Sequence, residues 1–435
     1  MNIVGSSGSV TIKALIVGVI ILVLLIPLSL LRSLVNERAV MRAAAHSKVA
    51  EGWGGHVRVP GPILIVPTRQ EVVRDGKAAI IHAHAYFLPN ELTFTTELRM
   101  QSEPRRVGIY EVPVYLADVE VNGHLNADRL SRWQQQHPER RLQWQLARVL
   151  LPLAQTRELR DVKAIFAGQS LRFVPANSSD MRGIEAPLAW TQAPGSAMSF
   201  DIRLLLAGSG GFSLLPLGSQ THARLSANWP HPSFSGAFAP TRYSIGQQRF
   251  AAEWNVLELN RTYGSAWLEG EVQFDSLVSS ATGVDIFQSV DIYQRGERAL
   301  KYALVFIALT FLTFFAWEQV SDVRLHPLQY LLLGLALSVF YLLLVALTEH
   351  VSFALAYNMA ATALVILIAS YIAGALRSTR RGLAVSVVVA VTYAFLYALV
   401  LSEDYALLLG ASAVFAALAA VMTITRRIDW YRSAQ

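Results

Sequence analysis

Hydrophobic positions in this chain follow two different rules. In the last third, residues 299–317, 328–347, 351–376, 383–401 and 405–425 are apolar runs with no Asp, Glu, Lys or Arg in their middles. Each has about 20 residues, the length over which a helix rising about 1.5 Å per residue crosses roughly 30 Å of hydrocarbon. These five are predicted to span a membrane. A sixth run covers residues 14–31, interrupted only by Gly18, Pro27 and Ser29. It exceeds the roughly 7–15 apolar residues of a secretory leader, and the small residues Ala43, Ala44 and Ala45 lie well beyond it, so an uncleaved anchor is expected. Helix formers continue after it (Glu37-Arg-Ala-Val-Met-Arg), and the helix is expected to stop at Gly52, Gly54 and Gly55.

Between these regions the period changes to two. Leu92, Phe94, Thr96, Leu98 and Met100 alternate with polar neighbours, as do Met198, Phe200, Ile202 and Leu204, and Phe250, Ala252, Trp254 and Val256. Such alternation places one strand face on a core and the other in water. Turns are expected at Arg74-Asp75-Gly76, Asn122-Gly123, Gly208 to Gly211 and Pro230 to Pro232. A short helix is expected over 127–136. The predicted fold class is therefore an α+β membrane protein. A six-helix transmembrane bundle (one plus five) carries a large, mainly antiparallel β domain, a sandwich or pair of sheets, inserted after the first helix. The expected boundaries are 1–51, 52–298, 299–425 and a tail at 426–435.

Composition agrees, with 53% hydrophobic and only 16% charged residues over 435 positions and a mean hydropathy of +0.38. The net charge of +6 does not point to nucleic acid, because many of the arginines border apolar spans. Arg377, Arg380 and Arg381 separate the third and fourth carboxy-terminal spans, and Arg426, Arg427 and Arg432 follow the last. By the positive-inside rule these segments are cytoplasmic, which puts both termini inside and the β domain outside. Arg32, Arg38 and Arg42 lie on the proposed outer side and disagree locally. The chain has no cysteine, so no disulfide staples the domain.

Catalytic patterns are sparse. The sequence contains no G-x-S-x-G elbow, no H-E-x-x-H and no phosphate-cradling Gly-x-x-x-x-Gly-Lys-Ser/Thr, and no cofactor is expected. Gly208-Ser-Gly-Gly is expected to be a hairpin loop. His82 and His84 are two apart on a predicted strand, so they share a face and could hold a metal, but no third ligand is visible. A polar sheet face accommodates both without one. Trp229 to Pro240 reads as a rigid connection with Phe234 and Phe238 packed inward.

Within the spans, Glu349, His350, Glu403 and Asp404 stand at outer ends rather than at depth. A midplane charge costs at least about 2.5–3.5 kcal/mol, and its avoidance weakens proton-relay and ion-coupled transport readings. These four form a candidate outer rim for interactions. Ser386, Ala390, Ala394 and Ala398 repeat at i, i+4 and are expected to be a helix-packing ridge. Trp317, Tyr330, Tyr405, Trp430 and Tyr431 are expected in an interfacial aromatic belt.

Several long stretches resemble the CreD inner-membrane proteins: His326-Pro-Leu-Gln-Tyr-Leu-Leu-Leu-Gly, Leu347-Thr-Glu-His, Glu403-Asp-Tyr-Ala-Leu-Leu-Leu-Gly, Thr425-Arg-Arg-Ile-Asp-Trp-Tyr and Trp229-Pro-His-Pro-Ser-Phe-Ser-Gly. The resemblance implies a role in Gram-negative envelope integrity and in the response to β-lactam stress, with no catalytic residues to carry over. The leading expectation is a non-enzymatic protein of the lipid bilayer that contacts envelope proteins or polymers. The alternatives are a transporter or lipid-handling protein, and an envelope hydrolase using His82, His84 and Glu97.

Overall fold

The computed structural model describes residues 8–74, 77–176, 181–286, 292–320, 326–375, 378–402 and 405–425. Its helices, among the described residues, are α1 (Gly8–Trp53), α2 (Ala127–Gln136), α3 (Phe274–Val278), α4 (Ile292–Val320), α5 (Pro327–Thr348), α6 (Phe353–Ala375), α7 (Thr379–Leu401) and α8 (Ala406–Thr425). The chain divides into two compact units, one of Met1–Met41 with Val290–Gln435 and one of Arg42–Ser289.

In the helical unit, five described segments are long and apolar enough to cross a membrane: Leu15–Trp53, Arg295–Phe315, Pro327–Thr348, Phe353–Ala375 and Gly382–Leu401. The 20-residue α8 follows them in sequence. Helix α4 packs on α5, α7 and α8, and α6 packs on α5 and α7. On α5 the buried positions Tyr330, Leu333, Gly334, Leu337, Tyr341 and Leu344 recur at three- and four-residue steps, giving one face to the bundle. A Cβ at Gly334 would lie 2.3 Å from a Leu24 methyl of α1 and 2.8 Å from the Phe311 ring, so a larger residue there would force those side chains to shift. The centre is aromatic: the Phe340 ring lies 4.6 Å from Tyr393, 5.0 Å from Tyr341 and 5.4 Å from Tyr357. The Tyr357 hydroxyl donates to the Tyr393 carbonyl at 2.7 Å.

Two expectations for this unit fail. Ser386 is buried and donates to Gly382 O at 2.7 Å, but Ala390, Ala394 and Ala398 are exposed. At 3.6 residues per turn, a four-residue step overshoots by about 40°, so a row of three steps rotates about 120° off the buried face. The helix instead buries Val385, Val389, Tyr393, Leu396 and Leu399. Tyr330 likewise is no belt residue: it is 0% exposed, and its hydroxyl donates to Glu318 at 3.0 Å. The Trp317 side chain, Trp430 and Tyr431 lie outside the described residues, and Tyr405 is exposed.

The β unit holds sheets of eight, seven, four and two strands among the described residues, and most pairs are antiparallel. The eight-stranded sheet is centred on Met198–Ser209, Val114–Leu125 and Glu91–Met100. The last of these buries Leu92, Phe94, Thr96 and Leu98 in strict alternation. Parallel pairing joins Glu91–Met100 to Gln220–Ala227, and Val57–Pro60 to Gly211–Leu215. One buried cluster, including Phe94, Phe166, Phe212, Phe250 and Trp254, draws on all three large sheets. Helix α2 covers the predicted 127–136 and buries Leu130 and Trp133 against this core.

Two expected turns are not turns. Asn122 and Gly123 lie inside the strand Val114–Leu125, where a Cβ on Gly123 would lie 2.1 Å from Glu91 O. Gly208 and Ser209 end the strand Met198–Ser209, and the next strand pairs with Val57–Pro60 and Thr282–Ile286 in a different sheet. The glycines therefore mark a crossing between sheets, not a hairpin. The third turn falls partly on residues 75–76, outside the described residues. Pro232–Gly236 is an edge strand of the four-stranded sheet, and Phe234 and Phe238 pack against the core as expected.

Candidate functional site

The site is built on a long hairpin of the strands Ile63–Arg74 and Lys77–Phe87. Antiparallel register sets Pro67 opposite His84 and Arg69 opposite His82. Beside the first strand runs Arg148–Leu151, which in turn pairs with Ile184–Pro187, so Glu185 sits across from Leu150. Pairing thus carries Arg148 and Glu185 to the flank of His84, although they are remote in sequence.

A chain of four side chains results. The His84 Nδ1 lies 2.7 Å from Glu269 Oε2, and the same carboxylate oxygen accepts from the His84 backbone N–H at 3.0 Å. On the other side of the ring, Arg148 lies 3.3 Å from His84 Nε2. Arg148 Nε then lies 3.0 Å from Glu185 Oε2. A guanidinium can only donate, so Nε2 accepts and Nδ1–H donates to Glu269. The neutral imidazole satisfies both neighbours. All four groups are partly buried, which strengthens their mutual electrostatics relative to water.

This chain borders a groove of about 570 Å³, whose walls include Pro67, His82, Gln143, Leu146, Val174 and Pro187. Leu146 and Val174 are exposed apolar surfaces at 57% and 49%. Carboxamide, imidazole and guanidinium groups beside an apolar platform suit an extended polar ligand held by hydrogen bonds. No described residue lining the groove carries a hydroxyl or thiol, so the walls supply no nucleophile of that kind.

The metal reading of His82 and His84 finds no support in this geometry. Both ring nitrogens of His84 have partners, one of them cationic, and no group of three or more His, Cys, Asp or Glu side chains is placed to hold an ion among the described residues. The hydrolase grouping also separates. Glu97 lies on a strand of the other large sheet, exposed and paired with Arg99 at 2.7 Å. Glu269, Arg148 and Glu185 were missed because their contacts with His84 or with each other span tens to hundreds of residues. No local spacing announces them.

A second polar cluster lies where the β unit begins. Glu158 is 4% exposed, and burial raises its carboxyl to about 7 against the opposing pull of the Gly55 amide and Arg58. Ser209 donates to Gly54 O at 2.7 Å, and Tyr115 donates to Gly211 O at 2.5 Å. His56 sits 3.0 Å from Ser213 and 3.5 Å from Asp285, with its pKa lowered by burial.

Of the rim residues, Glu349 caps the end of α5 and pairs with Arg38 of α1 at 3.4 Å. That pair supplies one arginine on the disputed side with a counter-charge. His350 is exposed. Glu403 and Asp404 lie outside the described residues, as do the topology residues Arg377, Arg426 and Arg427. Arg380 is exposed in the first turn of α7, and Arg381 follows it with a side chain outside those described. Cations at a helix amino terminus oppose the macrodipole, so helix stability does not account for them.

Apolar helices of membrane-crossing length, flanking in sequence one large β unit, define a multi-span membrane protein with a single large domain between its first and second spans. The family described as Inner membrane protein CreD matches residues 9–431, and the chain belongs to that family. It is 31% identical over 422 residues to the Inner membrane protein CreD of Escherichia coli (strain K12), covering 94% of this chain and 91% of that relative. Among solved structures, an M1 zinc metallopeptidase from Deinococcus radiodurans and a mutant of it align at TM-scores of 0.20 and 0.21. They are 13% and 14% identical, over 39% of this chain and 38% of each of theirs. Likeness at that level says nothing about chemistry here.

Proposed function

We propose that this CreD-family protein maintains the cell envelope without catalysing a reaction. In this reading its β unit stands on the periplasmic side, both termini are cytoplasmic, and the His84 groove holds an extended envelope polymer or protein segment. The observation that carries it is the groove itself. Its wall includes His84, Arg148 and Glu185. His84 is hydrogen-bonded to Glu269 and to Arg148, and Arg148 is ion-paired with Glu185, beside the apolar Leu146 and Val174 and without a hydroxyl or thiol nucleophile among the described lining residues. The family resemblance supports the link to envelope and β-lactam stress. The arginines at 377, 380, 381, 426 and 427 support the orientation. A lipid-handling role needs space between helices, and around Phe340 that space is filled by the rings of Tyr341, Tyr357 and Tyr393.

The test is a photo-crosslinking residue in place of Leu146, in the full chain in living cells, with Arg148→Ala as the comparison. Capture of an envelope polymer or protein, lost in Arg148→Ala together with resistance to β-lactam and detergent, is the expected outcome. No envelope adduct, with sensitivity unchanged on deletion of the protein, would overturn the reading.

A further inference from the structure

The groove hairpin has an edge that, along residues 77–83, no described strand covers. Its second strand runs from Lys77 to Phe87, and its outer neighbour Ala266–Leu268 pairs only with Ala85, Tyr86 and Phe87. The amide and carbonyl of His84 both point outward, to Glu269. Because backbone direction alternates along a strand, those of His82, Ile80 and Ala78 point outward too. Residues 77–83 thus leave an open row of donors and acceptors, the template for a further strand.

Several other edges among the described residues are guarded, although Arg242–Ile245, which ends the eight-stranded sheet, also exposes Tyr243 and Ile245 at 63% and 52%. Val174–Pro175 and Gln169–Ser170 have two residues each, and Pro232–Gly236 begins with proline. The open part of Leu159–Phe166 carries Arg160, Asp161 and Lys163. Short length, proline and charge are how natural sheets prevent edge pairing. Residues 77–83 contain one formal charge, Lys77, while Ile80 and Ile81 are 47% and 44% exposed. Across the hairpin, Val73 opposite Ala78 is 79% exposed. An isolated two-stranded ribbon with this much apolar surface is marginal in water.

We propose that this edge pairs with the same edge of a second copy of the chain, antiparallel, about a two-fold axis at Ile80. Its chemistry fits itself. In that register Ala79 faces Ile81 of the partner subunit, so small meets large on each side of the axis. Lys77 comes beside Ala83 of the partner subunit, next to the acidic Glu269-Gly-Glu271 turn, and no like charges meet. A two-fold also closes the pairing through this edge, because each copy uses it once. The two seven-stranded sheets become one.

The chain lacks cysteine, so single replacements report cleanly. Ala79 and Ile81 of opposite copies would form a non-hydrogen-bonded pair, with Cα atoms about 4.5 Å apart, within disulfide reach. Full-length A79C and I81C chains, co-expressed and oxidised in the membrane, are expected to give the mixed disulfide in preference to either homodisulfide. Ile80→Pro removes an outward N–H and no bond to the other hairpin strand, so folding should survive. It is expected to abolish that disulfide and to halve the particle mass from two 47.9 kDa chains to one. A one-chain mass for the unmodified protein, absence of the mixed disulfide, or a dimer unchanged by Ile80→Pro would each overturn the proposal.

Discussion

The two units write their folds into the sequence in opposite ways. In the β unit the solvent is water, so polarity separates the faces: the strand Glu91–Met100 buries Leu92, Phe94 and Leu98 and exposes Glu91, Thr95, Glu97 and Arg99. In the helical unit both surroundings are apolar. Helix α7 buries Val385 and Val389 yet exposes Val387 and Val391, residues of one kind on two faces. Length therefore reveals that such a helix exists, while composition says little about which side packs.

The largest expected contrast follows directly. Phe94 is 0% exposed in the β core, and Phe94→Ala should destabilise that unit by about 3–5 kcal/mol. Phe415 on α8 is 74% exposed, and Phe415→Ala should change stability by less than about 0.5 kcal/mol. Thermal unfolding of the full chain in one detergent compares the two. Equal losses would break the contrast between the units.

A smaller effect sharpens the view of the β unit as a water-side fold with a few buried costs. The Glu158 carboxyl is raised from 4.5 to about 7 on folding. Between those values the folded state holds a proton that the unfolded state has lost, so stability falls as pH rises through this window. At roughly 1.4 kcal/mol per unit, the cost above about pH 7 reaches at most about 3.5 kcal/mol. Glu158→Gln keeps an acceptor for the Gly55 amide and removes the charge. It should raise the melting temperature at about pH 8 and change little near pH 4, measured by thermal scans at both. A gain that is the same at both values would refute this origin.

The smallest effect tests the helical face. Ala394→Leu, on the exposed side of α7, should shift stability by less than about 0.5 kcal/mol, whereas Ser386→Leu on the buried side should cost about 1–3 kcal/mol. The reverse order would restore the small-residue ridge as a packing surface within the chain.

These contrasts also explain what could be read in advance. Five of the six spans, the helix over 127–136 and the strands around Phe94, Phe200 and Trp254 follow from period and length alone. Gly123 and Gly208 misled because a glycine needed for close backbone approach is indistinguishable in sequence from one needed for a turn. For the site, His84 was visible as one of a pair, but its partner Glu269 is 185 residues away and is brought there by strand order. The Arg38–Glu349 pair was equally silent, though it bears on the arginines that disagreed with the topology.

The account rests most on the β unit working outside the inner membrane. With no native cysteine, Leu259→Cys offers a single label site that is 91% exposed in that unit. A membrane-impermeant maleimide added to intact spheroplasts is expected to label it fully, with no increase on lysis. Labelling that appears only after the inner membrane is broken would place the unit in the cytoplasm and contradict the account.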